Sequence, residues 1–363
     1  MATIEELRYW CFGGDTPAEG GTPLPDAPIF RAMAYRFDPE RNAAFRDDYR
    51  GVVMRELPLE VEWKRIAAAF RKAGVHFAPI KGADLAESCY PDPALRTRSD
   101  IDLIVRREDI DRAVDIARAE GWRTVHEYSN PNHCPAMYKK NAMLEVHFNL
   151  PDFPPERNAE AWAEFVAQGD SSEYRLPPEL ALTVAFHHAR NCRWVNSAVL
   201  IADYAFLLNA KRDFDWKLAR KYAAEFGVAD PALPCFALPE LIPAELMPPG
   251  DPPPEELRLA LRDTLLHPVD FYRRRGDNVM KRGDRFGLSW WRDRMRGFSP
   301  SSVRINYHIP DRAGFWRMAG GYLRMIGDKT SLIFRSMFGK DAGYDRALRR
   351  VEDLETSLSK LEK

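Results

Sequence analysis

The sequence has few cysteines, and none is placed for a metal or a disulfide framework. The five are Cys11, Cys89, Cys134, Cys192 and Cys235; they are scattered, odd in number and form no CxxC pair. That argues against a zinc ribbon or a cross-linked secreted scaffold and for a reducing compartment. No run of about 18 uncharged apolar residues occurs, so no transmembrane helix is expected. The start of the chain lacks the basic-then-apolar order of a secretion signal. The expected location is cytoplasmic. No GxSxG and no Walker A sequence appears, which leaves out the usual serine-hydrolase and P-loop signatures. There is no internal repeat. Net charge is scant too, at −1 from 53 Lys+Arg and 54 Asp+Glu.

What is present is the composition of a soluble globular protein of 363 residues, 45% hydrophobic and 29% charged. The charge is unevenly spread. From Glu255 onward there are 23 Lys+Arg against 15 Asp+Glu, a surplus of +8, so the preceding body carries −9. A basic tail of this kind suits a polyanion, a membrane surface or the acidic body itself. Nine of the 28 prolines fall between Pro231 and Pro254, which predicts a linker or irregular connector. The division that follows is residues 1–60, irregular and helical; 61–152, an α/β core; 153–230, helical; 231–254, the Pro-rich connector; and 255–363, basic and mainly helical.

Within the core, a helix is expected from Val61 to Ala73, stopped by Gly74. Strands are expected at "VHFAPI" (Val75 to Ile80), "DIDLIV" (Asp100 to Val105) and "AMLEVHFNL" (Ala142 to Leu150). Side chains alternate along a strand. Asp100, Asp102 and Ile104 therefore share one face, and Ile101, Leu103 and Val105 share the core face. Two same-face carboxylates stand roughly 6.6 Å apart at the backbone. With tips at ~4 Å they would repel by about 4 kcal/mol in a protein-like medium, unless water or a cation lies between them. In the third strand Leu144, Val146, Phe148 and Leu150 face one way and Glu145, His147 and Asn149 the other. If that strand lies beside Asp100–Val105, Glu145 joins the aspartates in an oxygen-rich site suited to Mg²⁺ or Mn²⁺. Such ions hold the oxygens of a phosphoryl displacement. A DxD triplet alone would be weak, since it also serves to keep a strand edge soluble.

"APIKGADLAESCY" places Lys81 and Gly82 where a strand ends and a helix begins, a position that favours anions. Gly82 would let the backbone approach a phosphate, and Lys81 would add a point charge. Of Arg96 and Arg98, one is expected to clamp a phosphate and the other to point to water.

The segment "APIKGADLAESCYPDPALRTRSDIDLIV", a helix up to "EGW" and then "LEVHFNL" resembles the uncharacterised nucleotidyltransferase family NTP_transf_5, of the DNA polymerase beta-type nucleotidyltransferase superfamily. The residues carrying the resemblance are Lys81-Gly82, Tyr90-Pro91, Arg96, Asp100-Ile101-Asp102 and Glu145-Val146-His147. It runs from about Val61 to Val228. The resemblance implies an α+β fold, with a small mixed-sheet nucleotidyltransferase core, N-terminal helices, a helical domain and a mainly helical basic C-terminal region. It implies Mg²⁺ (or Mn²⁺) bound by Asp100, Asp102 and Glu145, with Glu145 helping to deprotonate the acceptor. Lys81, Gly82, Arg96, Ser99 and His147 are the expected nucleotide contacts. The superfamily usually carries Gly-Ser at the phosphate turn. Here Lys-Gly stands in its place, so triphosphate binding would lean on Lys81 and backbone amides. The implied partners are an NTP donor and a hydroxyl acceptor on a small molecule, peptide, protein or RNA. Two readings of other classes compete: a DxD glycosyltransferase holding a metal–nucleotide-sugar, and a non-catalytic nucleotide-binding module.

Other features take plainer readings. His187, His188 and Cys192 share a helix, but no second pair completes a tetrahedral metal site. Asp203 sits in the apolar helix "LIADYAFLL" and needs a partner, for which one of those histidines is the candidate. "NPNHCPAMYKKN", with His133 and Cys134, reads as a loop over the cleft. In the tail Trp290, Trp291, Phe298, Phe315 and Trp316 alternate with arginines. Packing onto the body is the simplest reading, beside nucleic-acid stacking and an interfacial helix around Phe315 to Phe338. Leu348, Val351, Leu354, Leu358 and Leu361 form a coiled-coil-like stripe that would suit a homodimer.

Overall fold

The fold is described from a computed structural model of the chain. The described residues are 2–17, 20–124, 136–150, 153, 161–169, 172–268, 315–338 and 342–361, with side chains of 328–348 left aside. The expected loop with His133 and Cys134, and Trp290, Trp291 and Phe298, lie outside them. The chain divides into two compact units: residues 1–268 with 349–363, and residues 269–348.

The first unit is α+β. Its helices are α1 (Ile4–Phe12), α2 (Pro28–Phe37), α3 (Arg46–Ala73), α4 (Lys81–Ser88), α5 (Ile110–Ala119), α6 (Pro178–Asn191), α7 (Ser197–Ala210), α8 (Trp216–Phe226), α9 (Leu233–Ala237) and α10 (Glu255–Leu266). Its strands are β1 (Phe77–Pro79), β2 (Ile101–Val105), β3 (Arg123–Thr124), β4 (Met137–Lys139), β5 (Ala142–His147), β6 (Val166–Ala167) and β7 (Tyr174–Arg175). Five strands form one mixed sheet in the order β1-β2-β5-β4-β3. β2 and β5 run parallel at its centre, and the other neighbours are antiparallel.

β2 is buried along its whole length, which is why its sequence carries apolar residues on both faces. Ile101, Leu103 and Val105 meet Leu144 and Val146 of β5 in the main core, under Trp63, Ile66 and Phe70 of α3 and Ala113 and Ala117 of α5. The opposite face of the sheet, with Asp102 and His147, is approached by α4, behind which α6 and α7 pack. α7 is apolar nearly all round and buried nearly all round, as a helix inside a helical layer must be.

Several elements differ from the sequence reading. The helix expected from Val61 begins at Arg46 and runs 28 residues. Pro58 is accommodated inside the helix on an exposed position, where the missing N–H costs one backbone hydrogen bond but no packing clash with the core. Acidic Asp47 and Asp48 in its first turn and Arg71 and Lys72 in its last complement the helix dipole. Gly74 closes it with a left-handed φ of 64°. The strand read from Asp100 starts at Ile101, and the one read to Leu150 ends at His147. β3, β4, β6 and β7 are only two or three residues long, too short to show a period. The Pro-rich stretch contains α9 and buries Leu233, Cys235, Leu238, Leu241 and Ile242.

Two further helices complete the description, α11 (Phe315–Phe338) and α12 (Ala342–Leu361). Within α11, the ring centroids of Phe315 and Trp316 are 5.4 Å apart. Part of the α12 stripe is used within the chain. Val351, Leu354 and Leu358 are buried, and Glu355 accepts from Arg190 Nε at 2.8 Å and Trp194 Nε1 at 2.9 Å. No described helix is long and apolar enough to cross a membrane.

Candidate active site

The parallel pairing of β2 and β5 sets the site. Its register puts Asp102 opposite Glu145 and Ile104 opposite His147, so the acidic face of one strand continues onto the other. Ligand atoms of Asp102, Glu145 and His147 lie within 4.8 Å of one another. His147 Nε2 is 2.8 Å from Asp102 Oδ1 and 3.6 Å from Glu145 Oε2. Asp102 and His147 are buried and Glu145 is half-buried. Asp100 precedes the first paired residue of β2 and lies outside that cluster of three. It is half-buried beside exposed Ser99, whose side chain hydrogen-bonds it. His147, expected among the nucleotide contacts, lies within this acidic cluster.

The β1–α4 turn delivers the cation that the two aspartates require. Ile80 N–H donates to Asp102 C=O at 3.1 Å, tying the turn to β2. Lys81 then takes a left-handed φ of 51°, a costly conformation for a residue with a Cβ that tends to persist where the surroundings hold it. Its Nζ lies 3.1 Å from Asp102 Oδ1, with the side chain only 11% exposed. Burial pushes the Asp102 carboxyl up, but Lys81 and the His147 hydrogen bond outweigh burial and hold it below the usual carboxylate range. Asp100 goes the other way. Burial first, and then repulsion from Asp102, push it up to about 7. Burial lowers His147, against the pull of Asp102.

Two hard carboxylate donors, one imidazole and an adjacent carboxyl that burial and the charge of Asp102 keep from ionising readily make a donor set that fits Mg²⁺ or Mn²⁺. Asp102 and Glu145 would hold the ion, and Asp100 would complete the negative shell.

A cavity of about 350 Å³ opens onto Asp100 and Asp102 and reaches across to α6 and α7, where His188, Asn196 and Asp203 line it. Arg55, Lys81, Arg96 and Arg98 supply its other charges. The two arginines before the DxD strand are not where the sequence placed them. Arg96 is engaged by Asp203, through Nε at 2.6 Å and Nη2 at 3.0 Å, and donates Nη1 to Thr97 C=O at 2.7 Å. Arg98, one of the pair expected to reach water, is buried. Its backbone N–H and Nε donate to Glu56 at 2.9 and 3.2 Å, and its Nη2 donates to Glu60 at 2.7 Å. A guanidinium is tolerated at such depth only when paired. Burial raises Glu56 against the pull of Arg98.

The partner expected for Asp203 was a histidine. Arg96 and Tyr90 take that place, with the Tyr90 hydroxyl donating at 2.7 Å. Burial raises Asp203, opposed by Arg96 and Tyr90. Gly82 is also crowded by side chains: a Cβ there would stand 3.2 Å from Arg96 Nη1 and 3.3 Å from Arg98 Cβ. Arg55, Asn196 and His188 were missed as cavity residues. Arg55 lies in the part of α3 before the expected start at Val61, while His188 packs its Nε2 3.6 Å from Cys192 Sγ.

A family model of uncharacterised nucleotidyltransferases matches residues 35–242, a wider span than the resemblance drawn from the motifs. It takes in all of α3 and ends in the Pro-rich stretch. Neither the comparison with curated proteins nor that with solved structures gives a match. The match covers more than half of the chain and contains every residue of the acidic cluster and the lysine turn, and so the chain belongs to the uncharacterised nucleotidyltransferase family NTP_transf_5.

Proposed function

We propose that the chain transfers a nucleotidyl group from an NTP to a hydroxyl acceptor, dependent on Mg²⁺ or Mn²⁺. The observation that carries this reading is the β2–β5 register, which brings Asp102 and Glu145 side by side on the cavity face of the sheet. Asp100, Asp102 and Glu145 are the proposed cation-binding carboxylates, with His147 fixing Asp102 by its hydrogen bond. A divalent ion bound there would screen the α-phosphate charge and make the acceptor hydroxyl more acidic.

In the transfer, the acceptor oxygen bonds to the α-phosphorus as the bond between the α-phosphorus and the α–β bridging oxygen breaks. Pyrophosphate leaves with that electron pair. Glu145, more accessible than Asp102, receives the hydroxyl proton. Lys81 neutralises Asp102 while the cavity is empty of donor and stands at the edge of the phosphate path. This is largely electrostatic and positional catalysis, as phosphoryl transfer requires.

The test is incubation with each labelled NTP and Mg²⁺, comparing the wild type with the double variant Asp100→Asn/Asp102→Asn. Nucleotide transfer with pyrophosphate release in the wild type, and its loss in the variant, is the expected result. Equal turnover in both would refute the assignment. Tight NTP binding without pyrophosphate release across a broad acceptor screen would favour a non-catalytic module.

A further inference from the structure

Four cationic side chains of Lys and Arg line the cavity, and three are already committed to carboxylates. Lys81 lies on Asp102 at 3.1 Å, Arg96 on Asp203 at 2.6 Å, and Arg98 on Glu56 and Glu60 at 3.2 and 2.7 Å. Arg55 differs. It is exposed and, among the described residues, no carboxylate or carbonyl engages it. Its placement is nevertheless fixed. Its neighbour Glu56 holds both the backbone and the guanidinium of Arg98, and Val52 and Leu59 anchor the same stretch of α3 in the interior.

Arg98 supplies a second, independent sign. The side chain is 3% exposed, yet its Nη1 is buried with no hydrogen-bond acceptor among the described residues. A buried donor left without an acceptor costs about 1–3 kcal/mol, and in a native protein it calls for an explanation such as a bound ion. One guanidinium with a donor to spare and another with no partner line the same cavity as Asp100 and Asp102.

We infer that Arg55, backed by the buried guanidinium of Arg98, forms an anion subsite in this cavity, taking the β- and γ-phosphates of the donor and then the departing pyrophosphate. The inference rests on the transferase reading above for the identity of the anion, but not for the existence of the subsite. Arg55, on the solvent side, is the residue a leaving group would pass. Arg98 is a positioning residue, since it also holds α3 against the DxD segment.

The probe is inorganic tripolyphosphate, titrated calorimetrically into the full chain at low ionic strength with EDTA, alongside NTP steady-state kinetics. Arg55→Ala should weaken tripolyphosphate binding about tenfold or more and raise KM for the NTP by a similar factor, as expected for loss of a charge-assisted contact. Arg55→Lys should recover part of both. Because Arg55 has no partner among the described residues, the melting temperature of Arg55→Ala should equal that of the wild type. Asp100→Asn/Asp102→Asn should lose turnover yet keep tripolyphosphate binding. Wild-type affinity retained in Arg55→Ala, or no tripolyphosphate binding by the wild type, overturns the subsite even if transfer proceeds. Arg55-dependent anion binding without any NTP turnover keeps the subsite and overturns the transferase reading alone.

Discussion

Arg96 was expected from the sequence to clamp a phosphate, and the structure makes it half of a buried ion pair, so removing it separates the two roles. Asp203 is 2% exposed and receives Nε and Nη2 of Arg96 and the hydroxyl of Tyr90. Arg96→Ala strands this carboxylate with Tyr90 as its remaining hydrogen-bond donor, and Asp203→Ala strands the guanidinium. Either should cost about 3–5 kcal/mol, a large part of the 5–15 kcal/mol typical of a folded protein. Tyr90→Phe removes one hydrogen bond to a charged group and should cost about 1.5–3 kcal/mol.

The double variant Arg96→Ala/Asp203→Ala should lose far less than the sum, because no lone charge remains buried. Urea unfolding followed by tryptophan fluorescence is the assay, since Trp63, Trp122, Trp194 and Trp216 are all buried in the first unit. The sign with pH is also set. Asp203 titrates above its unfolded value, and without Arg96 it would be raised further. The native state then binds more protons than the unfolded state between those two values, so stability falls as pH rises through that window. Arg96→Ala should therefore be penalised more at pH 8 than at pH 5, and Asp203→Ala should not show this trend. Single variants within about 1 kcal/mol of wild type, with a raised KM for the NTP, would refute the structural role and restore the phosphate clamp.

Two other outcomes follow from the site. Asp100 ionises only near pH 7 in the ion-free protein, so a cation must displace its proton below that pH. Mn²⁺ affinity, measured by calorimetry, should fall by up to about tenfold per unit below pH 7 and level off above it. Asp100→Asn should flatten the profile, and an unchanged slope would remove Asp100 from the cation site. Gly82→Ala sets a crowding cost of about 1–3 kcal/mol against a gain of about 1 kcal/mol in helix preference. Arg96 and Arg98, which the new Cβ would press at 3.2 and 3.3 Å, are each held by carboxylates. A net loss of about 1 kcal/mol is expected, and equal or greater stability in urea unfolding would refute the close-approach explanation.

Strand alternation made the acidic face legible. The DxD and ExH segments each separate core from site residues, and the parallel pairing of β2 and β5 follows that division. What could not be read was the identity of buried charge partners. Asp203 announces from its apolar neighbours that it needs a donor, but Arg96 lies 107 residues away in sequence, and nothing local ranks it above the nearby histidines. Arg98 was misread because arginine is seldom buried. Its burial depends on Glu56 and Glu60, which lie in the part of α3 before the expected start at Val61. One signal was available: Arg46 to Leu57 already carries Asp47 and Asp48 at its start and Val52 and Glu56 at helical spacing.

The paired charges give the cavity a direction. Arg96–Asp203 and the set of Arg98 and Lys64 with Glu56 and Glu60 are internally balanced. Lys81, which pairs with Asp102 at 3.1 Å and also pulls on Asp100, is a single positive charge against the three carboxylates Asp100, Asp102 and Glu145. The sheet end of the cavity is therefore short of positive charge, while the α3 end holds an unanswered arginine. A lone cation satisfies only the first end, and a lone anion only the second. An NTP with its divalent ion carries both signs in one ligand, the ion at the α-phosphate side and the negative tail beyond it. Such a ligand relieves both imbalances together, so cation and polyphosphate binding should be mutually reinforcing. Cooperativity of that sign distinguishes a site built for a metal–nucleotide from two unrelated patches of charge.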